Sequence, residues 1–300
     1  MNSSLGMPDP YYLSGVTHYI VPFFTIEEGV TDSVLEWTRG SSLQRKAIIE
    51  EYNNHGIRIG LSASLTHRDN PMVLAGQVAD FARKYNFQGV DIEYKESDHF
   101  HRGKSRDWIV PLADLLRKAL PSEEGYFLSH SPNAPLFNSN NYSHSYSWIE
   151  KTIGHAIDFY SIQMDHPGAY STCERLLHQS HGQYKQTSLF QLHDIWGVPL
   201  SKIVIGRPAE TNSIKDHFDH HMKSNVFAEC LREASSMGWK GGAAWWNLNT
   251  MSIQETVQPV IKELSLTYHH QNRHHDKINT PKRRIARHAA KRHQVKPTSE

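Results

Sequence analysis

The chain has 300 residues, 38% hydrophobic and 21% charged, with a formal net charge of +1. That length suits two average domains or one α/β barrel of about 250 residues with an appendage. The composition excludes a wholly disordered, collagen-like or disulfide-scaffolded protein. No apolar run approaches the roughly 20 residues that cross a bilayer. The opening MNSSLGMPDP has neither the basic nor the apolar stretch of a secretory signal. Two cysteines, Cys173 and Cys230, permit one disulfide, but two free buried thiols are the expectation.

In chain order, short β-branched or aromatic runs alternate with longer helical patterns. Val16–Phe24 predicts a strand and Asp32–Asn53 a helix; Ile57–Ser62 and Pro71–Tyr85 repeat the pair. Gly89–Tyr94 predicts a third strand, with a helix over Ser105–Leu120. Four more strands follow at Tyr126–Ser131, Ile157–Met164, Lys202–Gly206 and Gly242–Leu248, with helices over Asp216–Met237 and Ile253–Leu264. Such alternation predicts parallel strands joined by helical crossovers. A doubly wound open sheet is the rival, but no G-x-G-x-x-G follows the first strand and no phosphate loop is present.

Charge divides the chain near residue 267. Residues 268–300 hold nine Lys/Arg against two acids and six histidines, with almost no large apolar side chain, and predict a disordered tail. Its basic core, Lys282 to Arg292, reads as a localisation signal, a patch for an anionic polymer or a solvated tail with no partner. Residues 1–267 carry 23 basic against 29 acidic residues and no nucleic-acid recognition signature, so contact with nucleic acid is expected at most through the tail.

The informative segment is Asn86–Glu96, NFQGVDIEYKE. Alternate residues of a strand share a face, so Asp91, Glu93 and Lys95 point the same way. Two carboxylates and an ammonium near a strand's carboxyl end form either an active-site wall or an inward ion cluster satisfied within a barrel.

This segment resembles the fourth-strand signature D-G-x-D-x-D-x-E of glycoside hydrolase family 18, the chitinases and their relatives. Gly89 and Asp91 match; Gln88 replaces the first Asp, Glu93 the third, and Lys95 stands at the catalytic Glu. Val16–Phe24 resembles the family's second strand, Tyr126–Pro135 the fifth, Asp158–Met164 the sixth, Lys202–Ala209 the seventh and Gly241–Asn247 the last. The resemblance runs over about residues 10–265. It implies a (β/α)8 barrel, here lacking the family's first strand at the N-terminus. It also implies a ligand of chitin or N-acetylglucosamine oligosaccharides and no cofactor. Family members hydrolyse β-1,4 bonds with the substrate's own acetamido oxygen as nucleophile, an exception to the two-carboxylate scheme. In them the strand-end Glu protonates the leaving oxygen, the Asp two residues earlier orients the acetamido group, and a Tyr on the sixth strand holds its carbonyl.

Against those roles, Lys95 replaces the acid, and Asp165 or His166 stands at the Tyr. An ammonium with an unperturbed pKa of roughly 10.4 is a poor proton donor and acceptor for this step near neutral pH. Two carboxylates are candidate substitutes. Glu93 lies about 6.6 Å deeper along the strand, and Glu96 would need a bulge to turn inward.

The remaining candidates rank lower. Trp246 is expected as a sugar-stacking floor, with Trp245 on the opposite face. His130 and Asn133, at the end of the fifth strand, are either groove residues or satisfied loop polars; Gln163, Tyr160, Arg207 and His18 are groove candidates by resemblance. Ser129 and His130 make no triad, because no orienting acid accompanies them. His217 and His221 have metal-ligand spacing beside Asp216, Asp219 and His220 but no third ligand group, so an exposed helix start is expected and no metal. Three functions stay open. They are a sugar-binding barrel with hydrolysis lost or weakened, an active hydrolase using Glu93 or Glu96, and a truncated barrel without function. As written the chain reads as cytoplasmic; an upstream leader would make it extracellular.

Overall fold

The computed structural model describes residues 5–25, 29–66, 70–94, 97–143, 145–209, 222–246, 248 and 252–264. Seven strands lie in chain order and every neighbouring pair is parallel. They are β1 His18–Phe24, β2 Arg58–Leu65, β3 Gly89–Tyr94, β4 Phe127–His130, β5 Phe159–Gln163, β6 Ile203–Pro208 and β7 Ala243–Trp246, all within or overlapping the predicted runs. The connecting helices are α1 Asp32–Arg39, α2 Ser42–Asn54, α3 Pro71–Lys84, α4 Ser97–His101, α5 Ser105–Ala119, α6 Tyr146–Ile153, α7 Pro167–Tyr170, α8 Cys173–Leu177, α9 Leu189–Asp194 and α10 Ser224–Ser236. A last helix covers 252–264 and contains a π-helical stretch at Ile253–Val257.

The helix expected over Asp32–Asn53 is two helices. A Cβ on Gly40 would lie 2.3 Å from Leu5 Cδ1, so the chain passes tightly there. Ser41 then starts α2 with a reciprocal cap: Gln44 N–H donates to Ser41 Oγ, and Ser41 N–H donates to Gln44 Oε1. The helix expected from Asp216 begins at Ser224, after residues 210–221, which lie outside the described set together with the histidines considered there. The basic segment 268–300 also lies outside it.

Side-chain contacts show how the sheet curls. The His18 ring of β1 lies 4.8 Å from Phe127 of β4 and 5.1 Å from Phe159 of β5, so strands three and four places apart meet across the interior. Phe127 fills the amino-terminal end of this space, and a Cβ on either Gly60 or Gly89 would fall 2.3 Å from its ring. Gly89, part of the family-like motif, is thus fixed by a packing requirement. Gln88 just before it donates from Nε2 to Asn53 and accepts the Ile59 N–H, tying β2 to α2 at the end away from the strands' carboxyl termini. β1 and β7 are the edges and do not pair with each other among the described residues. Their side chains are mostly half-buried, whereas those of β2, β3, β4 and β6 are mostly buried, so the curl has one open side. The arrangement is a (β/α)8-type barrel represented by seven strands. Outside it, the Gln258 side chain of the last helix donates to the carbonyls of Tyr12 and Ser14, joining the two ends of this body.

Strand alternation corrects three expected groove residues. His130 and Tyr160 face the helices, because Ser129 and Ser131 on either side of His130 take the interior face. His130 is fully buried against Tyr146 and Tyr160, and Tyr160 Oη donates to Glu150 Oε2 at 2.6 Å, in a carboxylate that also accepts from Lys202 Nζ. Arg207 likewise faces outward. Its guanidinium lies 5.5 Å from the Phe227 ring centre on α10 and donates to the carbonyls of Met164 and Tyr170. His18 faces inward but sits at the amino-terminal end of the barrel, beside Phe127. The cysteines are not free thiols: Cys173 of α8 and Cys230 of α10 form a disulfide.

Two predictions follow from this packing. Gly89→Ala should cost about 1–3 kcal/mol in denaturant unfolding, from a methyl driven into Phe127. Combining it with Phe127→Leu should recover part of that loss as a coupling term; strict additivity would contradict the packing account. Burial also lowers the His130 imidazole from 6.5 to about 3. A folded-state pKa below the unfolded one means that the unfolded chain binds more protons. The stability contribution is therefore intact above pH 6.5 and lost as pH falls toward 3, with a slope approaching about 1.4 kcal/mol per unit. Melting temperatures across that range should flatten in His130→Phe.

Candidate functional site

The interior face toward the carboxyl ends of β3 to β7 carries the polar groups. Asp91 is buried at 3% exposure and is gripped from both neighbouring strands. Ser129 Oγ donates to its Oδ1 at 2.6 Å, Ser131 Oγ to its Oδ2 at 2.7 Å, and Ser62 Oγ approaches Oδ2 at 3.5 Å. Burial pushes the Asp91 carboxyl up from its usual range, the serine hydrogen bonds pull it back, and the nearby charge of Glu93 raises it further. Glu93 is half-buried on the same face, paired across β2 with Ser64.

A chain of contacts carries this wall around the curl. Ser131, whose hydroxyl holds Asp91, accepts the Gln163 Nε2 hydrogen bond on its carbonyl at 3.0 Å. Gln163 is in register with Gly206 of β6, and a Cβ on Gly206 would lie 3.1 Å from Trp246 Cζ3. The glycine lets the indole lie against β6 on the same face. Trp245 points the other way, edge-on to Phe227 at 6.1 Å. Asp91, Glu93, Gln163 and Trp246 therefore share one interior face, spread over β3, β5 and β7.

The other expected site residues fall outside that face or beside it. Asn133 is exposed just past β4, bridged to Gln163 through the backbone, and so stands at the rim. Asp165 is half-buried two residues beyond Gln163, before α7. His130, Tyr160 and Arg207 lie on the helix side. Lys95 and Glu96 lie outside the described residues. Among the described residues no group of three or more His, Cys, Asp or Glu is placed to hold a metal ion, and no helix is long and apolar enough to cross a membrane.

Sequence reasoning missed the three serines around Asp91 and the role of Gly206. The signal was present as period-two serines in LSAS and LSHS, which alternation puts on the face of Asp91. Ser129 and His130, which make no triad by sequence, point to opposite faces of β4.

Nothing matches this chain among protein-family models, and no curated protein sequence matches it. Solved structures do match. A family 18 chitinase from Pseudoalteromonas aurantia superposes with a TM-score of 0.63 at 17% identity, covering 86% of this chain and 97% of that one. The chitinase RmChi1 from Rhizomucor miehei gives 0.59 at 13% identity, over 86% and 95% of the two chains. YKL-39, solved in the presence of chitooligosaccharides, gives 0.56 at 15% identity, over 86% and 92%. Likeness at this identity speaks to architecture, and it agrees with the parallel strand order. The chain has the fold of the family 18 chitinases and chitinase-like proteins.

Proposed function

We propose that this barrel binds chitin or N-acetylglucosamine oligosaccharides and has lost efficient hydrolysis. The observation that carries the reading is the shared face of Asp91, Glu93, Gln163 and Trp246, in a chain whose residue 95 is lysine. An indole against a glycine offers an apolar plate for a pyranose ring. The carboxylates and the Gln163 amide supply the few polar groups that orient a small ligand. Glu93, in line with the family's acetamido-orienting Asp, is the acceptor for an acetamido N–H. Asp91, locked by serines, buttresses it.

Catalysis asks for more than binding. The reaction builds positive charge at the anomeric carbon and needs a proton for the leaving oxygen. A cation at position 95 opposes the first and supplies the second poorly. Loss of a general acid alone costs on the order of 10²–10⁴ in rate. With Asp165 or His166 at the position of the family's Tyr, the phenol donor for the acetamido carbonyl is gone.

Titration of tryptophan fluorescence with a chitin tetramer should give saturable binding. Trp246→Ala should weaken it about tenfold or more, a loss near 1.4 kcal/mol. The same samples, followed for released sugar, should show no turnover above background. Lys95→Glu should raise hydrolysis, and adding Asp165→Tyr should raise it further. Clear turnover by the unmodified chain, abolished by Glu93→Gln or Glu96→Gln, would instead establish a hydrolase with a relocated acid. Absence of binding in a folded sample would leave the barrel without its sugar function.

A further inference from the structure

The connection between β5 and β6 starts at the proposed sugar site and is anchored on α10. Met164 and Asp165 follow Gln163 directly, and then come α7 and α8. Arg207 holds the carbonyls of Met164 and Tyr170 at 3.4 and 3.3 Å, and Arg175 donates to the Gly168 carbonyl at 3.2 Å. The far end of this arm is fastened to α10 twice. His178 Nε2 lies 3.1 Å from Glu233 Oε1, and Cys173 is bonded to Cys230. The two cysteines differ in exposure. Cys173, the first residue of α8, is half-buried. Cys230 is fully buried in the row of α10 that also buries Phe227, Leu231 and Ala234, with Met222 Sδ 3.5 Å from its sulfur.

We infer that Cys173–Cys230 is a covalent lock closed during oxidative folding. It fixes the Asp165 arm against α10 and resists dithiol reductants once the chain has folded. The role at the arm rests on the sugar-site reading; the lock itself does not. Reduction would begin with a reductant thiolate attacking Cys173 Sγ, on the less buried of the two residues. The S–S bond would break and Cys230 would leave as a thiolate. The reductant's second thiol would then displace Cys173, giving a cyclic disulfide and, after two protons are taken up, two protein thiols. The leaving thiolate would form in an apolar site that disfavours its charge, and poor leaving thiolates exchange slowly. Direct attack on Cys230 is blocked by its burial. Closure runs the same two-electron exchange in reverse with a disulfide donor, and it needs both sulfurs reachable, before α10 packs. An oxidising compartment supplies such a donor.

The test uses the full chain made in an oxidising compartment. Peptide mapping without reductant should recover residues 173 and 230 as one linked species; free thiols at both would overturn the lock. Dithiothreitol with an alkylating agent should label the cysteines about a hundredfold more slowly in native protein than in guanidinium. Equal rates would overturn the claimed resistance. The double variant Cys173→Ser/Cys230→Ser should melt about 10 °C lower, and an unchanged melting point would contradict a structural bond. If that variant does not fold, labelling of the unmodified chain still decides. In a folded variant the affinity for the chitin tetramer should fall at least about fivefold, and unchanged affinity would remove the arm from the account. If the unmodified chain binds no sugar, the proposed function fails while labelling and melting still judge the lock.

Discussion

The bracket around Asp91 is the constraint on which the site depends. A carboxylate with 3% exposure must have its oxygens satisfied, and serine hydroxyls from two flanking strands do this, two of them at short range. The bonds hold β2, β3 and β4 in one register. Because side chains alternate along a strand, that register also decides which residues face the interior. Slipping β3 by one residue would bury Ile92 and Tyr94 in the site and turn Asp91 and Glu93 toward the helices. The glycines at the amino-terminal end act in the same sense, since Phe127 can occupy the barrel floor only where Gly60 and Gly89 leave room.

From that bracket the site spreads by contact. Ser131 serves Asp91 with its hydroxyl and Gln163 with its carbonyl, so the third and fifth strands are coupled through one residue of the fourth. Gly206 then lets Trp246 lie against the wall. On the proposed reading, these polar and aromatic groups serve an amphipathic ring, while the one lysine in the motif bears on chemistry rather than on shape. That reading separates binding from turnover, because stacking and hydrogen bonding do not require a proton donor and glycosidic cleavage does.

Most of the architecture was legible in the sequence. All seven strands appeared as β-branched or aromatic runs, and alternation alone put Asp91 and Glu93 together and parted Trp245 from Trp246. The misplacements have one physical origin. His130 is placed in the groove by nearness to a strand end, and Tyr160 and Arg207 by resemblance, and in all three a shift of one residue reverses the face. Only the serine contacts and the helix-layer partners Tyr146, Glu150 and Phe227 fix that parity. The Cys173–Cys230 bond was hidden because two cysteines 57 residues apart carry no geometric signal until α8 and α10 pack. The break at Gly40 does not show in the helical periodicity; its local signal is the Ser41–Gln44 capping box that restarts the helix.

The most direct test of the account is calorimetric titration of the full chain with N-acetylchitotetraose and, in parallel, with cellotetraose, followed by chromatography of each mixture. The two sugars share a backbone and differ in the acetamido group that Glu93 is held to recognise. The account predicts heat of binding for the chitin oligomer, little for the cellulose oligomer, and recovery of both uncut. Equal binding of the two, or shortened chitin oligomer in the recovered mixture, would contradict it.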